Sequence, residues 1–290
     1  MNLHIICNPT SGNYTGRTTL QKVLELLEIV GIHPVVHETK RQFQAIEFAK
    51  QAVLEKADTV IAIGGDGTLH EVALGLVNTG TALGIIPAGT GNDFVKTILS
   101  PTDIQKALDL ILNTAPKPVD TVWINDLLFI NECGCGFDVM VLDFAEKAKK
   151  HVKGILPYLY GVLKTIFHFK DIALTYSIDD GPLQNKNILV LAAGNGRFIG
   201  GGIPIAPNAI VDDGLLDVLI VNGMSKLRML SVLPGLLKGK IQTFPETSHQ
   251  YAKKLHIEGT GLRINIDGEI VSMDSADIQV NPASLLVYRP

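Results

Sequence analysis

Apolar and polar positions follow two alternating periods over the first 120 residues. Short apolar runs typical of buried strands cover residues 3–7, 33–37, 59–63 and 82–86. Between them, residues 18–30, 42–56 and 71–77 repeat apolar side chains at a spacing of three and four, which predicts helices. Strands that alternate with helices favour a parallel sheet, and the ligands of such sheets bind beyond the carboxyl ends of the strands.

The pattern changes after the Pro-Lys-Pro segment at 116–118. Short β-type runs separated by Gly, Asp and Pro turns predict a mostly antiparallel domain, and they cover residues 122–130, 173–178, 187–193, 214–221, 254–258 and 262–266. A helical insert at 139–170 and a helix near 225–238 interrupt them. We therefore predict an α/β domain over 1–120 and a β-rich domain over 121–278, with a last strand at about 279–290 that is compatible with either domain.

Composition narrows the class of protein. The 290 residues are 46% hydrophobic and 19% charged, which excludes a disordered chain, and the net charge of -4 argues against general nucleic-acid binding. Cys133 and Cys135 are too close in sequence for a structural disulfide. The N-terminus has no signal-peptide pattern, and the apolar stretch 155–169 is too interrupted to span a bilayer. We expect a reduced, cytoplasmic protein.

A glycine-rich pentapeptide carries the clearest chemical signal. Gly64, Gly65, Asp66, Gly67 and Thr68 follow a predicted strand and open a helical run. Such a junction directs backbone N–H groups and the positive end of a helix dipole at one point, which favours an anion such as phosphate. The carboxylate of Asp66 would repel phosphate, so it indicates either Mg²⁺ or a turn rich in donors. The alternative interpretation is a plain βα turn with an Asp cap.

A second glycine-rich loop follows one strand later, at residues 87–94. The Thr90 hydroxyl can donate to a phosphate oxygen there, and Asn92 or Asp93 can cap the next helix. Because both loops follow strands of one predicted parallel sheet, we expect them at the same edge.

These loops belong to a larger set of motifs spread over nearly the whole chain. The set comprises N-P-x-S-G at 8–12, G-G-D-G-T at 64–68, P-x-G-T-G-N-D-F at 87–94, N-x-x-G-x-G-x-D at 131–138, A-P-x-A-x-x-D-D-G-L-L-D at 206–217 and D-G-E at 267–269. In order and spacing the set resembles the diacylglycerol kinase and sphingosine kinase superfamily, in particular its small bacterial lipid kinases.

The resemblance implies an ATP-dependent lipid kinase. Its fold would be a nucleotide-binding α/β domain, here residues 1–120, related to 6-phosphofructokinases and NAD kinases. This domain would be joined to a β-sandwich domain for the lipid acceptor, here residues 121–278. By similarity, the residues that bind ATP with its Mg²⁺ are Asn8, Thr39, Gly64, Gly65, Asp66, Gly67, Thr68, Leu69, His70, Glu71 and Thr90.

The resemblance also implies a role for each of two acidic residues of the second domain. Asp267 corresponds to the general base, although Asp267-Gly268 alone also fits a hairpin turn. A structural Mg²⁺ or Ca²⁺ would be held by the Asp213 side chain and the carbonyls of Ile210 and Leu215, for which the alternative is a plain Asp-Gly turn.

The insert at 139–170 combines large apolar residues with lysines, among them Lys147, Lys149, Lys150 and Lys153. This pattern fits equally well a peripheral contact with the inner face of a membrane and a packed helix with a solvated lysine face. The chain is also compatible with a homodimer.

Three functions remain open from the sequence. The first is a kinase that acts on a membrane lipid, with diacylglycerol as the leading acceptor ahead of sphingoid bases, ceramide and phosphatidylglycerol. The second is an NAD kinase-like enzyme, because G-G-D-G-T occurs there as well; the motif at 206–217 argues against it. The third is a catalytically inactive regulator that binds a nucleotide or a lipid.

Overall fold

Two units make up the molecule, one of mixed α/β structure and one rich in strands. A computed structural model describes residues 1–149 and 156–290, with only the backbone of Lys149 described. The first unit comprises Met1–Thr121 and Pro282–Pro290, and the second comprises Val122–Asn281. This division into an α/β part and a β-rich part confirms the predicted fold class.

The first unit is built on a parallel sheet of strand order β4-β3-β1-β2. Its elements are β1 (Leu3–Cys7), α1 (Ser11–Ile29), β2 (Val35–Glu38), α2 (Gln44–Leu54), β3 (Thr59–Gly64), α3 (Asp66–Leu76), β4 (Ala82–Pro87), α4 (Asp93–Thr97) and α5 (Ile104–Asn113). Each predicted strand and helix of this part is present. Helix α3 begins five residues before the predicted start, because the glycine motif itself forms its first turn.

Buried side chains on the helices hold them against this sheet. Val23 and Leu27 of α1 and Ile111 of α5 share one core cluster with Ile5 and Ile61 of the central strands. Their spacing along each helix is the apolar period seen in the sequence, so burial of this stripe fixes which face turns inward.

The strands of the second unit run antiparallel to their neighbours, in the order β13-β12-β9-β7-β14-β15. The elements are β5 (Lys117–Ile124, which begins in the first unit), β6 (Leu127–Phe129), β7 (Glu132–Gly136), α6 (Phe137–Lys149), α7 (Leu156–His168), β8 (Ile172–Ile178), β9 (Gln184–Gly194), β10 (Phe198–Ile199), β11 (Ile203–Pro204), β12 (Leu216–Asn222), α8 (Lys226–Leu237), β13 (Thr247–Ala252), β14 (Lys254–Ile266) and β15 (Glu269–Val287). The end of β15 pairs in parallel with β4, so the final strand returns to the first unit.

Two strand predictions in this unit are wrong. The single strand at 122–130 is a hairpin of β5 and β6, which turns at Asn125 with a left-handed φ of 49°. The two strands at 254–258 and 262–266 are one strand, β14, whose pairing with β15 shifts register between Glu258 and Leu262. A bulge keeps a strand continuous where the sequence pattern breaks, because the extra residues leave the ladder without ending it.

The helical insert forms α6 and α7, which pack closely. A Cβ atom at Gly161 of α7 would lie 2.4 Å from the Val141 carbonyl oxygen of α6, so the close approach requires glycine. Lys150 and Lys153, and the side chain of Lys149, lie outside the described residues. Within the ranges 1–149 and 156–290, none of the helices combines the length and the apolar character needed to cross a membrane.

Candidate active site

Two glycine-rich loops meet at the carboxyl edge of the first unit's sheet. The Ala88 N–H donates to the Gly64 carbonyl oxygen at 2.7 Å, which joins the segments that follow β3 and β4. A Cβ atom at Gly89 would lie only 2.4 Å from the Gly65 Cα atom. A Cβ atom at Gly65 would lie 3.1 Å from the Gly89 Cα atom, so the two backbones touch at a point that excludes a side chain at Gly89 and leaves little room for one at Gly65.

The carboxylate of Asp66 links these loops. Its Oδ1 atom accepts the N–H groups of Asp93 at 2.7 Å and Phe94 at 3.4 Å, at the start of α4. Burial raises the pKa of Asp66 to about 6, and the charge of Asp93 raises it as well. Of the two interpretations of Asp66, the donor-rich turn is the one with direct partners in the structure.

The first turn of α3 presents backbone N–H groups. Its first intrahelical bond runs from the Leu69 N–H to the Gly65 carbonyl at 3.0 Å, so the N–H groups of Asp66, Gly67 and Thr68 precede the hydrogen-bond ladder. Apart from its chain neighbours and the backbone of its own helix, a Cβ atom at Gly67 would meet no described atom within 4 Å. This helix end therefore combines free space with donors and the positive end of the dipole.

Three other predicted ATP-binding residues of α3, namely Thr68, Leu69 and Glu71, pack or hydrogen-bond within the first unit through their side chains. Leu69 is 3% exposed and belongs to the core. The Glu71 Oε2 atom accepts the Ala45 N–H at 3.1 Å, near the start of α2. His70 is half-buried, and Thr68 is buried with its side chain against Gly64.

Three further predicted residues lie at the ends of neighbouring strands. Asn8 follows β1, and its Oδ1 atom accepts the N–H of Thr10 at 3.1 Å. Thr39 follows β2 and donates its N–H to the Cys7 carbonyl at 2.9 Å. Thr90 is exposed in the loop after β4. The parallel sheet thus brings segments that are up to 82 residues apart, from Asn8 to Thr90, to one edge.

In the second unit, Asp267 occupies the turn between β14 and β15 with a φ of 48°. Its Oδ1 atom accepts the N–H groups of Asn131 at 3.0 Å and Glu132 at 2.9 Å, and its Oδ2 atom accepts the Ile130 N–H at 2.9 Å. Three backbone donors from one segment fix the position and orientation of the carboxylate.

Buried polar side chains surround this turn. The Asn265 amide donates to Glu132 Oε1 at 2.5 Å, and its oxygen accepts the Gly268 N–H at 2.9 Å. Burial raises the pKa of Asp138 to about 7, and neither of its carboxyl oxygens has a hydrogen-bond partner of good geometry among the described residues. Sequence reasoning treated Asp138 only as part of a motif and missed Asn265. A polar residue within the apolar run 262–266 was the available signal for Asn265.

The predicted ion site lies in the turn before β12. The exposed Asp213 accepts the Leu215 N–H at 3.0 Å, across a Gly214 with a φ of 73°, and Ile210 is 50% exposed. In the described part of the chain, no group of three or more His, Cys, Asp or Glu side chains is arranged to hold a metal ion. The predicted site relies instead on one carboxylate and two carbonyl oxygens.

Comparison with known proteins places the chain in a family. Residues 2–124 match the model of the diacylglycerol kinase catalytic domain, and residues 131–289 match that of the YegS C-terminal NAD kinase beta sandwich-like domain. A diacylglycerol kinase of Bacillus subtilis is 30% identical over 275 residues, with 93% of this chain and 90% of the relative covered. A Klebsiella pneumoniae protein named "Probable lipid kinase YegS-like" is 31% identical, with coverage of 97% and 94%.

A solved structure of similar fold also carries the name of a diacylglycerol kinase. A Bacillus anthracis crystal structure described as that of a "putative diacylglycerol kinase" superposes with a TM-score of 0.81 at 28% identity, and the alignment covers 100% of this chain and 97% of that one. Both domain models and the full-length relatives confirm the resemblance seen in the motifs. The chain belongs to the family of ATP-dependent lipid kinases that includes the diacylglycerol kinases and the YegS-like lipid kinases.

Proposed function

We propose that this lipid kinase transfers the γ-phosphate of ATP to the free hydroxyl of diacylglycerol and so forms phosphatidic acid. The observation that carries the phosphate-binding part is the first turn of α3, where three backbone N–H groups precede the helix ladder beside the open space at Gly67. The choice of acceptor is supported by the Bacillus subtilis relative, a named diacylglycerol kinase that aligns over 93% of this chain.

In this proposal the ATP phosphates lie against the N–H groups of residues 66–68. Donors held in place by a helix and two joined loops stabilise phosphate charge without reorganising during the reaction. The exposed hydroxyl group of Thr90 adds a donor, Thr68 contributes its backbone N–H, and Asn8 and Thr39 lie at the neighbouring strand ends.

The acidic pair Asp66 and Asp93 fits the Mg²⁺ that accompanies ATP. The charge of Asp93 raises the pKa of Asp66, and Lys96, which pairs with Asp93 at 3.3 Å, balances part of this charge. Mg²⁺ near Asp66 would balance the rest. Bound Mg²⁺ would supply charge neutralisation on the phosphoryl group that is transferred.

We assign Asp267 the role of general base. As the lipid hydroxyl oxygen attacks the γ-phosphorus and ADP leaves, the carboxylate of Asp267 takes the hydroxyl proton. The three N–H bonds from residues 130–132 support this role, because they hold the carboxylate in one orientation before the acceptor arrives.

The turn at residues 210–215 is proposed to hold a structural Mg²⁺ or Ca²⁺. The donor set consists of hard oxygen atoms, which suits either ion when water completes the shell. The exposed carboxylate of Asp213 and the left-handed Gly214 give an ion access from solvent.

Because diacylglycerol resides in a bilayer, we further propose that the enzyme works as a peripheral protein at a membrane surface. The reaction is tested by incubating the protein with γ-labelled ATP, Mg²⁺ and single acceptors: diacylglycerol, a sphingoid base, ceramide, phosphatidylglycerol or NAD. Label in phosphatidic acid is the expected result. Label only in another lipid would overturn the acceptor, and label only in NADP would overturn the lipid kinase reaction.

A further inference from the structure

The turn that carries the proposed base consists of only two residues, Asp267 and Gly268. Ile266 pairs with Glu269 across the turn, and Asp267 and Gly268 have left-handed φ angles of 48° and 94°. In a two-residue hairpin turn of this kind, the N–H groups of both turn residues lie outside the strand ladder. The position of the Asp267 carboxylate therefore depends on the groups that bind these two N–H groups.

Both N–H groups of the turn have partners in the second unit. The Asp267 N–H donates to the Glu132 carbonyl oxygen at 3.0 Å, and the Gly268 N–H donates to the side-chain oxygen of Asn265 at 2.9 Å. The first partner belongs to the backbone of β7, whereas the second is a side chain of β14. Asn265 thus holds the Gly268 half of the turn through a bond that a substitution can remove.

The side-chain amide of Asn265 has a defined direction. Its nitrogen donates to Glu132 Oε1 at 2.5 Å, and a carboxylate accepts hydrogen bonds but does not donate them. The nitrogen must therefore face Glu132, which leaves the amide oxygen for the Gly268 N–H. Asn265 and Glu132 are each 3% exposed, so solvent competes little for these bonds.

Apolar packing does not explain an amide at position 265. Ile264 and Ile266 belong to the core cluster of the second unit, and because strand side chains alternate, Asn265 lies on the opposite face of β14. The backbone of β14 is already held there by pairing with β7 and β15. A buried amide costs free energy unless it is hydrogen-bonded, so the two bonds of Asn265 account for its presence.

A second acidic side chain reinforces the direction of this amide. Gly134 of β7 lies opposite Asn265, and a Cβ atom at Gly134 would lie 2.7 Å from Asp138 Oδ2. Burial raises the pKa of Asp138 to about 7, and the Asn265 amide lowers it. A donor lowers the pKa of an acid because it favours the charged form, so the nitrogen end of the amide faces Asp138 as well as Glu132.

We propose that Asn265 and Glu132 are positioning residues for phosphate transfer, a proposal that rests on the proposed role of Asp267 as general base. Glu132 directs the Asn265 amide, Asn265 holds Gly268, and the turn then presents the Asp267 carboxylate in one orientation. In this proposal neither side chain contacts the reacting atoms. A base must lie within hydrogen-bond reach of the proton that it takes, and a misplacement of about 1 Å can slow a reaction about 10²-fold.

Exchange of donor and acceptor between the two side chains tests the proposal. At about pH 8, well above the ordinary pKa of both carboxyls, Asn265→Asp places two carboxylates against each other. It should lower kcat about 10²-fold, and Asn265→Ser, which removes both bonds without adding charge, should act similarly. In the double variant Asn265→Asp, Glu132→Gln, the new carboxylate can accept both the glutamine N–H and the Gly268 N–H. Its kcat should recover to within about fivefold of wild type.

Asn125→Asp is the matched control. Asn125 also bonds backbone groups at a hairpin turn, because its amide donates to the Ser275 carbonyl at 3.0 Å and accepts the Asp277 N–H at 2.9 Å. This turn joins β5 and β6 and does not carry the base. The control should lose stability and keep wild-type kcat per folded molecule.

The division of the effect between kcat and KM distinguishes positioning from a role in folding alone. Positioning predicts a lower kcat for Asn265→Asp and Asn265→Ser, with KM for Mg²⁺-ATP and diacylglycerol close to wild type. A lower melting temperature with wild-type kcat per folded molecule would overturn the proposal. A folded double variant that is no more active than Asn265→Asp would overturn it as well.

Hydrogen exchange gives a reading that does not depend on activity. In the intact protein, amides of the peptide 262–271 should exchange about tenfold faster in Asn265→Ser than in wild type, because the Gly268 N–H loses its partner. Unchanged exchange would overturn the proposal. Faster exchange in a protein whose wild type transfers no phosphate would reject the reaction and keep the bond that holds the turn. Wild-type phosphate transfer by Asn265→Ser would reject the positioning role and keep the reaction.

Discussion

The carboxylate of Asp66 accepts the backbone N–H of Asp93 at 2.7 Å, and this bond joins two glycine-rich loops that are 27 residues apart. Close contact between Gly65 and Gly89 accompanies it. The geometry of the proposed phosphate site therefore depends on both loops, although only the first loop leads into α3, whose N-terminal N–H groups are proposed to bind phosphate.

Two alanine substitutions separate the packing role of these glycines from phosphate binding. Gly89→Ala should destabilise the protein by about 1–3 kcal/mol, because its Cβ would overlap the Gly65 backbone. Gly67→Ala should keep or raise stability by up to about 1 kcal/mol, because it lies in a helical first turn with open space beside it. Chemical denaturation measures both free energies of unfolding.

Calorimetry with Mg²⁺-ATP completes this comparison. The methyl group of Gly67→Ala would occupy the space proposed for phosphate, so this stable variant should bind ATP more weakly than wild type. Wild-type affinity in Gly67→Ala would show that phosphate does not approach the first turn of α3.

Asp138 should make stability depend on pH. Burial raises its pKa from 3.8 to about 7, so between these values the folded chain holds more protons than the unfolded chain. Stability must then fall as pH rises through this window and level off above it. Asp138→Asn removes this loss, and its stability relative to wild type should improve on the order of 3 kcal/mol between about pH 4 and pH 8.

Denaturation curves of both proteins at each pH give this difference. Asp126→Asn is the control, because Asp126 is an exposed carboxyl in the β5–β6 turn. A pH-independent difference between Asp138→Asn and wild type would mean that Asp138 does not hold a proton in the folded chain near neutral pH.

Removal of divalent ions tests the turn at 210–215. A chelator should lower the melting temperature of wild type and have no effect on Asp213→Ala. Without any ion, Asp213→Ala still loses the bond to the Leu215 N–H, worth about 1 kcal/mol, so the chelator response is the informative reading. Asp212→Ala is the neighbouring control. A wild-type melting temperature that changes neither with chelator nor with added Mg²⁺ or Ca²⁺ would exclude the ion site.

Asp267→Asn should separate binding from transfer. The amide oxygen can keep the bonds from Asn131 and Glu132, whereas the amide nitrogen would face the Ile130 N–H, at a cost of about 1–3 kcal/mol. Mg²⁺-ATP affinity should be unchanged, and single-turnover transfer should fall about 10²–10⁴-fold. Asp126→Asn again serves as the control. A transfer rate close to that of wild type would remove Asp267 as the base.

Local sequence signals predicted the order of elements well. Apolar periodicity identified β1, β3 and α8, and the glycine motif correctly marked a junction between a strand and a helix. The β5–β6 hairpin was missed because its turn at Asn125 has no glycine, so the apolar run around it reads as continuous.

Contacts between distant segments could not be predicted from the sequence. The direction of the Asp66 carboxylate depends on where α4 begins, and the partners of Asp267 come from a segment about 136 residues away. Burial of Asp138 likewise results from packing of α6 on the strands. Such features depend on tertiary structure, and a single chain shows no period or spacing that reports them.

The proposed reaction is tested by identifying the product that wild type forms from γ-labelled ATP, Mg²⁺ and diacylglycerol, with Asp267→Asn run in parallel. We predict labelled phosphatidic acid from wild type and almost none from Asp267→Asn at equal ATP binding. If a wild-type protein that binds ATP forms no labelled phosphatidic acid, phosphate transfer to diacylglycerol is excluded.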